Sequence, residues 1–285
     1  MKIGIGIPNH VAGVAGTLVV EWARRAEQRG FDAVTTIDRL IYPSLDSVTT
    51  LALAAGATSS VDLVTNVLLA PLYPPVLLAK QLATLSDASG GRLVLGVGVG
   101  ARPDDYRAAG VEFDSRGAIL DDAVTVWRRV WSGEPFDGET ALCPVPVTIP
   151  VLFGGKGKPT LRRVATLGDG WAGGAVRDYE TQASFIEEIR TLWLEAGRTG
   201  RPLMQTSVNF ALGDDSVVAD GRLNLGRYYG NKPDYAALNV ADMVATAEDA
   251  RGTVQRYRDM GFDRLLFHPS VASPDQVDRL ADAVL

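Results

Sequence analysis

Short apolar runs alternate with longer segments in which apolar residues recur every three or four positions, from one end of the chain to the other. The short runs predict strands at about residues 3–7, 33–37, 62–69, 92–97, 149–153, 170–172, 203–211 and 264–268. The longer segments predict helices with one buried face. The first starts near Thr17 and carries Leu18, Trp22 and Ala26, and the second carries Val48, Leu51, Ala52 and Ala55. A third starts near Pro75 with Leu78, Leu82 and Leu85, and a fourth holds Leu120, Val124, Trp127 and Trp131. Four more are expected near residues 159–167, 179–196, 242–260 and 274–285.

Strict strand–helix alternation implies parallel strands joined by helical crossovers. Eight such units with no composition break favour closure over an open sheet. The expected fold is therefore α/β, a (β/α)8 barrel formed as one domain over residues 1–285. Two stretches exceed the minimal repeat. Residues 132–148, which link the fourth helix to the fifth strand, are Pro-rich, and residues 213–239 follow the seventh strand. The second is a candidate cover for a site, because long excursions of this kind tend to be lids.

Composition narrows the function. The chain is 46% hydrophobic and 22% charged, which suits a folded domain. A net charge of -6 argues against a general binder of nucleic acid or anionic membrane. With Cys143 as the single cysteine, no intrachain disulfide forms and the cytosol is the expected compartment. No apolar run is long enough to span a bilayer. Neither HExxH nor paired cysteines nor an Asp-rich calcium loop is present, so no metal site is expected.

In this fold chemistry sits where strands end. The two histidines of the chain, His10 and His268, both fall there, and imidazole suits proton transfer near neutral pH. Asp38, after the second strand, is a carboxylate that could orient a ligand, or simply pair with Arg39 in a loop. Tyr73, after the third, is a further proton donor or orienting group. Gly154-Gly155 and Gly173-Gly174 end successive strands and leave bare backbone side by side, which lets N–H groups approach a phosphate. A helix starting near Pro159 and Lys156 or Lys158 would add positive potential. Ordinary turn glycines would leave the same trace. Two look-alikes fail. Gly4-Ile5-Gly6 lies inside a strand and has Asn9 where a dinucleotide fingerprint needs glycine. Residues 154–160 resemble a P-loop but place Pro159 where Ser or Thr must hold magnesium.

Several runs resemble the luciferase-like flavin and deazaflavin oxidoreductases. They include Trp22-Ala23-Arg24-Arg25-Ala26-Glu27 with Gly30-Phe31-Asp32, and Leu77-Leu78-Ala79-Lys80 with Leu82-Ala83-Thr84-Leu85. Ser89-Gly90-Gly91-Arg92-Leu93 runs into Leu95-Gly96-Val97-Gly98, and Phe113-Asp114 precedes Arg116-Gly117. Val151-Leu152-Phe153-Gly154-Gly155 and Arg162-Arg163-Val164-Ala165 with Gly168-Asp169-Gly170-Trp171 complete the set, which spans most of the chain. The resemblance implies a barrel, a cytosolic location, a homodimer, and FMN or coenzyme F420 as cofactor. It implies that Asp38 lies near the isoalloxazine-type ring and that Asn66-Val67 forms a bulge backing it, with a non-proline cis peptide. It sets Gly98, Val99 and Gly100 beside the ring, and the four later glycines at the cofactor phosphate. Arg39 stands where many deazaflavin members have His, and Ala101 where sugar-phosphate dehydrogenases of the family have Glu, so sugar-phosphate oxidation is not expected.

The leading expectation is a monooxygenase that uses reduced FMN from a separate reductase on a small organic substrate. Hydride transfer with coenzyme F420 is the alternative. A flavin-free binding barrel and a phosphate-ester lyase or isomerase are rival classes, and the lyase lacks an evident Lys or Glu base. The loops 8–16 and 39–45 and the excursion 213–239 are the expected pocket walls.

Overall fold

The computed structural model describes residues 1–143 and 145–285. Eight parallel strands close into a barrel in chain order. They are β1 Lys2–Gly6, β2 Ala33–Thr36, β3 Asp62–Leu68, β4 Leu93–Val97, β5 Val151–Gly154, β6 Gly170–Ala172, β7 Leu203–Phe210 and β8 Arg264–Pro269. The helices are α1 Leu18–Gln28, α2 Ser47–Ala57, α3 Pro75–Ala88, α4 Pro103–Ala109, α5 Arg116–Trp131, α6 Lys158–Thr166, α7 Tyr179–Glu195, α8 Asp215–Tyr229, α9 Pro233–Ala241, α10 Ala247–Asp259 and α11 Asp275–Val284. Burial on both faces gives the strands their near-continuous apolar character, as in β7, where every residue but the first is buried. The outer ring is locked by specific contacts. Trp127 and Trp131 stack at 5.8 Å on α5, and their indole N–H groups donate to the Pro75 and Ala79 carbonyls of α3.

The expected strands and barrel are present, and two details differ. First, α4 occupies the connection after β4; its buried residues are Asp105 and Tyr106, too few to leave a periodic trace. Second, the 213–239 excursion is mostly helical, as α8 and α9, and the helix expected from 242 starts at Ala247 behind a Thr246 cap. Between them Val244 bridges to Phe210 and extends the β7 edge.

β6 is short and closely flanked. A Cβ on Gly170 would stand 2.1 Å from the Leu203 carbonyl oxygen of β7, whose backbone cannot withdraw without breaking its register. Gly170→Ala should therefore destabilise the barrel by roughly 1–3 kcal/mol or more, read from the midpoint of denaturant unfolding.

Candidate functional site

The C-terminal strand ends surround two adjoining cavities of about 480 and 470 Å3 that share Ile37, Asn66, Val67, Tyr229 and Tyr235. A larger cavity of about 780 Å3 opens at the opposite end of the barrel, where Lys2 and Arg264 pair with Asp62 and Arg201 with Asp263. Those charges close the barrel floor and lie far along the strands from the candidate groups.

Asp38 lines the first cavity, just beyond β2. Its Oδ2 accepts from the Leu69 N–H at 2.9 Å and from the Tyr73 hydroxyl at 3.2 Å. Among the described residues its Oδ1 makes no hydrogen bond. Burial pushes the carboxyl up to about 6, against the two hydrogen bonds that favour the charged form. Tyr73 is itself held protonated, first by burial and then by the adjacent Asp38.

His268 ends β8 and lines the second cavity, and His10 follows β1. Their rings meet edge to face at 6.0 Å, and His10 packs edge to face against Tyr228 at 5.5 Å. Both are buried, and none of their four ring nitrogens has a partner among the described residues. Burial lowers His10 to about 4, and burial together with His10 lowers His268 to about 3. Both imidazoles are therefore neutral across the physiological range, each with one N–H donor and one acceptor nitrogen unpaired.

The Asn66–Val67 peptide is cis, as the sequence resemblance implies. Two glycines make room for the Val67 side chain. A Cβ on Gly98 or on Gly154 would stand 2.8 or 2.9 Å from the Val67 methyl groups. Asn66 is fixed by a file of side chains that rises through the barrel. Arg264 Nη1 donates to Gln205 Oε1 at 3.1 Å, Gln205 Nε2 to Asn66 Oδ1 at 2.9 Å, and Asn66 Nδ2 to Ser207 Oγ at 3.0 Å.

Gly154, Gly155, Gly173 and Gly174 share the second cavity with Lys156. Gly155 has φ +105°, a conformation closed to most side chains, and its carbonyl accepts from the Trp171 indole at 2.9 Å. A Cβ on Gly174 would meet nothing nearer than the Tyr235 hydroxyl at 3.9 Å, so that backbone is bare toward the cavity. The α6 N-terminus stands beside them without a side-chain cap. Lys156 pairs with Asp178 at 3.5 Å but stays half-exposed. Bare backbone, an uncapped helix start and a nearby ammonium fit the phosphate end of a flavin-type cofactor.

The structure thus brings Asp38, Asn66, Val67 and Gly100 to one cavity, and His268 with the four later glycines to its neighbour. It sets other sequence-predicted residues behind the walls. Tyr73 acts on Asp38, Gly98 packs on Val67, and the Val99 carbonyl accepts from the Tyr106 hydroxyl. His10 backs His268 and Tyr228. Sequence reasoning missed Tyr228, Tyr229 and Tyr235 of the α8–α9 cover, together with Arg102, Lys232 and Ser207. The aromatic cluster Tyr228-Tyr229 in an excursion already suspected as a lid was the available signal.

The sequence model described as luciferase-like monooxygenase matches residues 1–284. The chain belongs to this family. Luciferase-like enzymes are flavin- or F420-dependent oxidoreductases and monooxygenases, which makes this chain an oxidoreductase. An uncharacterized Mycobacterium tuberculosis relative is 33% identical over 215 residues, covering 64% of this chain and 74% of its own length. An F420-dependent hydroxymycolic acid dehydrogenase of the same organism is 31% identical over 227 residues, covering 70% of this chain and 61% of its own. Among solved luciferase-like structures, an F420-dependent secondary alcohol dehydrogenase with an F420-acetone adduct superposes with TM-score 0.82 at 21% identity, covering 99% of this chain and 98% of that one. An FMN-bound Baeyer-Villiger monooxygenase from Pseudomonas putida superposes with TM-score 0.73 at 17% identity, covering 99% and 96%. Among the described residues no helix is long and apolar enough to cross a membrane, and no cluster of His, Cys, Asp and Glu could hold a metal.

Proposed function

We propose that this chain transfers a hydride between coenzyme F420 and a small, largely apolar alcohol or the matching carbonyl compound. The observation that carries this reading is Asp38, which lines the cavity with one oxygen unpaired and whose carboxyl burial raises to about 6. Oxidising an alcohol to a carbonyl releases the hydroxyl proton as well as the hydride, so a base with a pKa near the working pH suits the task. The deazaflavin, when bound, supplies a centre that takes or returns the hydride. Asp38 Oδ1 takes the proton in one direction and returns it in the other. His268, neutral and unpartnered, donates its ring N–H to the substrate oxygen and orients it, while His10 holds the His268 ring from behind. Val67 backs the ring system, Gly155, Gly174 and the α6 start hold the phosphate, and α8 and α9 shield the cavities from water. The dehydrogenase relative and the secondary alcohol dehydrogenase structure, both F420-dependent, support the choice over oxygenation.

The test is to titrate F420 and FMN separately into the purified protein, then add secondary alcohols. F420 should bind, and its visible absorbance should fall on alcohol addition with no oxygen uptake. FMN binding with oxygen consumption, and no F420 binding, would replace this reading by a monooxygenase fed by a separate flavin reductase.

We place the contact between two copies on α2 and α3, where Leu53 and Leu77 are 46% and 55% exposed beside a groove. Sedimentation over a concentration series checks it. The buried free thiol of Cys143 fits a reducing compartment, and we infer the cytosol.

A further inference from the structure

The first cavity holds a group of cations that the reaction above does not use. Arg102 and Lys232 line it, and Arg39 stands beside it. Arg39 Nη1 and Arg102 Nη2 both donate to the Tyr228 carbonyl, at 2.5 and 2.7 Å, so each holds the end of α8. Both guanidinium groups also lie over the Tyr228 ring, at 5.5 and 5.6 Å from its centroid. That clamp leaves N–H groups without a direct acceptor. Arg102 Nη1 is buried without a partner. Among the described residues none of Arg39, Arg102 and Lys232 makes a salt bridge, although the chain as a whole carries a net charge of -6. Lys232 makes no side-chain hydrogen bond to any described residue. Asp38 is the one acid lining this cavity; Asp105, buried near Arg102, accepts from the Ile41 N–H on Oδ1, and its Oδ2 makes no hydrogen bond to Arg102 or to any other described residue. Burial, reinforced by the charge of Arg39, holds the Arg102 guanidinium below its usual range, so the nearby Asp105 and Asp104 carboxylates compensate it only in part. A buried guanidinium N–H without an acceptor is costly, and a carboxylate entering the cavity would answer it with a charge-assisted hydrogen bond.

We propose that Arg102 and Lys232 form a carboxylate-recognition site at this end of the cavity. The walls beside it are Val67, Leu69, Tyr228, Tyr229 and Tyr235, so the carboxylate is carried on a short apolar or aromatic body. Such a group reaches the site on the substrate or on the acidic tail of the deazaflavin cofactor. The assignment rests on the hydride-transfer reading for its place in catalysis, but the binding itself is measurable without turnover.

The experiment is calorimetric titration of the intact protein with hexanoate and with hexanamide, using wild type, R102Q, K232Q, R102K and R102Q/K232Q, followed by F420 titration of the same set. For a substrate carboxylate, wild type should bind hexanoate about tenfold more tightly than the amide, the preference expected of one charge-assisted bond. K232Q should reduce this preference, R102Q/K232Q should abolish it, and R102K should keep part of it. For the cofactor tail, hexanoate and hexanamide should bind alike, while F420 should bind the double variant about tenfold more weakly. The site is refuted by a preference that survives in the double variant. It is refuted equally by no preference together with unchanged F420 affinity. K232Q breaks no bond in the fold, so it reads the site even if loss of the Arg102 clamp unfolds R102Q. If wild type binds hexanoate selectively and F420 not at all, the site stands and the hydride-transfer reading falls.

Discussion

Asp38→Asn should lower kcat/KM for alcohol oxidation by about 10²–10⁴-fold, the range typical of a lost general base. The amide still accepts from the Leu69 N–H and the Tyr73 hydroxyl through its oxygen, so the local fold and cofactor affinity should change little. The pH profile separates a proton acceptor from a spacer. Wild-type oxidation should rise as pH passes about 6, where Asp38 loses its proton, and the variant should lack that limb. Stability should move the other way. The folded carboxyl is raised from 3.8 to about 6, so its ionisation costs nothing at the acid end. The penalty grows between these values and is complete above the upper one. D38N should therefore be more resistant to denaturant than wild type at neutral pH. Full activity in D38N with an unchanged pH limb would remove Asp38 from the chemistry.

The second large effect is acid lability. His10 and His268 have folded values near 4 and 3 against 6.5 when unfolded. The unfolded chain therefore binds protons in this window that the folded chain refuses. Stability is complete above 6.5 and is lost as pH falls below it, toward the folded values. Each pH unit per group is worth about 1.4 kcal/mol, so moving from pH 7 to about pH 4.5 should cost on the order of 5 kcal/mol through this pair. The control is H10Q/H268Q, which should lose markedly less between the same two pH values in urea unfolding. Parallel losses in both proteins would show that the imidazoles are not buried in neutral form.

The barrel was legible because its strands are simple to recognise. Runs such as Leu265-Leu266-Phe267 are buried on both faces and bounded by turn residues, and the order of eight such units leaves little topological freedom. Parallel strands also fix which end is which, so the strand-end residues Asp38, His268 and the paired glycines could be singled out before any coordinates. Legibility failed where an element lacks a continuous apolar stripe. α8 buries Gly221, Leu225 and Tyr228, and Gly221 is needed there because a Cβ would stand 2.7 Å from that of Ala211. A glycine and a single leucine on the inward face read as loop. The cation group was invisible for a different reason. Arg39, Arg102 and Lys232 come from three connections far apart in sequence, and only closure of the barrel assembles them on Tyr228 and its cavity.

The file of side chains from Arg264 to Ser207 has a polarity that its chemistry imposes. A guanidinium can only donate, so Gln205 must present its oxygen to Arg264 and its amide nitrogen to Asn66. Asn66 must then receive on its oxygen and give from its nitrogen, which makes the Ser207 oxygen an acceptor. Each amide is thereby locked in one of its two flips by an ion at the far end of the barrel. Ser207, at the top of the file, lines the cavity with Val67 and the paired glycines, and its hydroxyl proton is left free to donate there. The barrel axis works as a one-way ratchet of hydrogen-bond direction, anchored at the floor by Asp62 and delivering a donor, not an acceptor, to whatever lies above Val67.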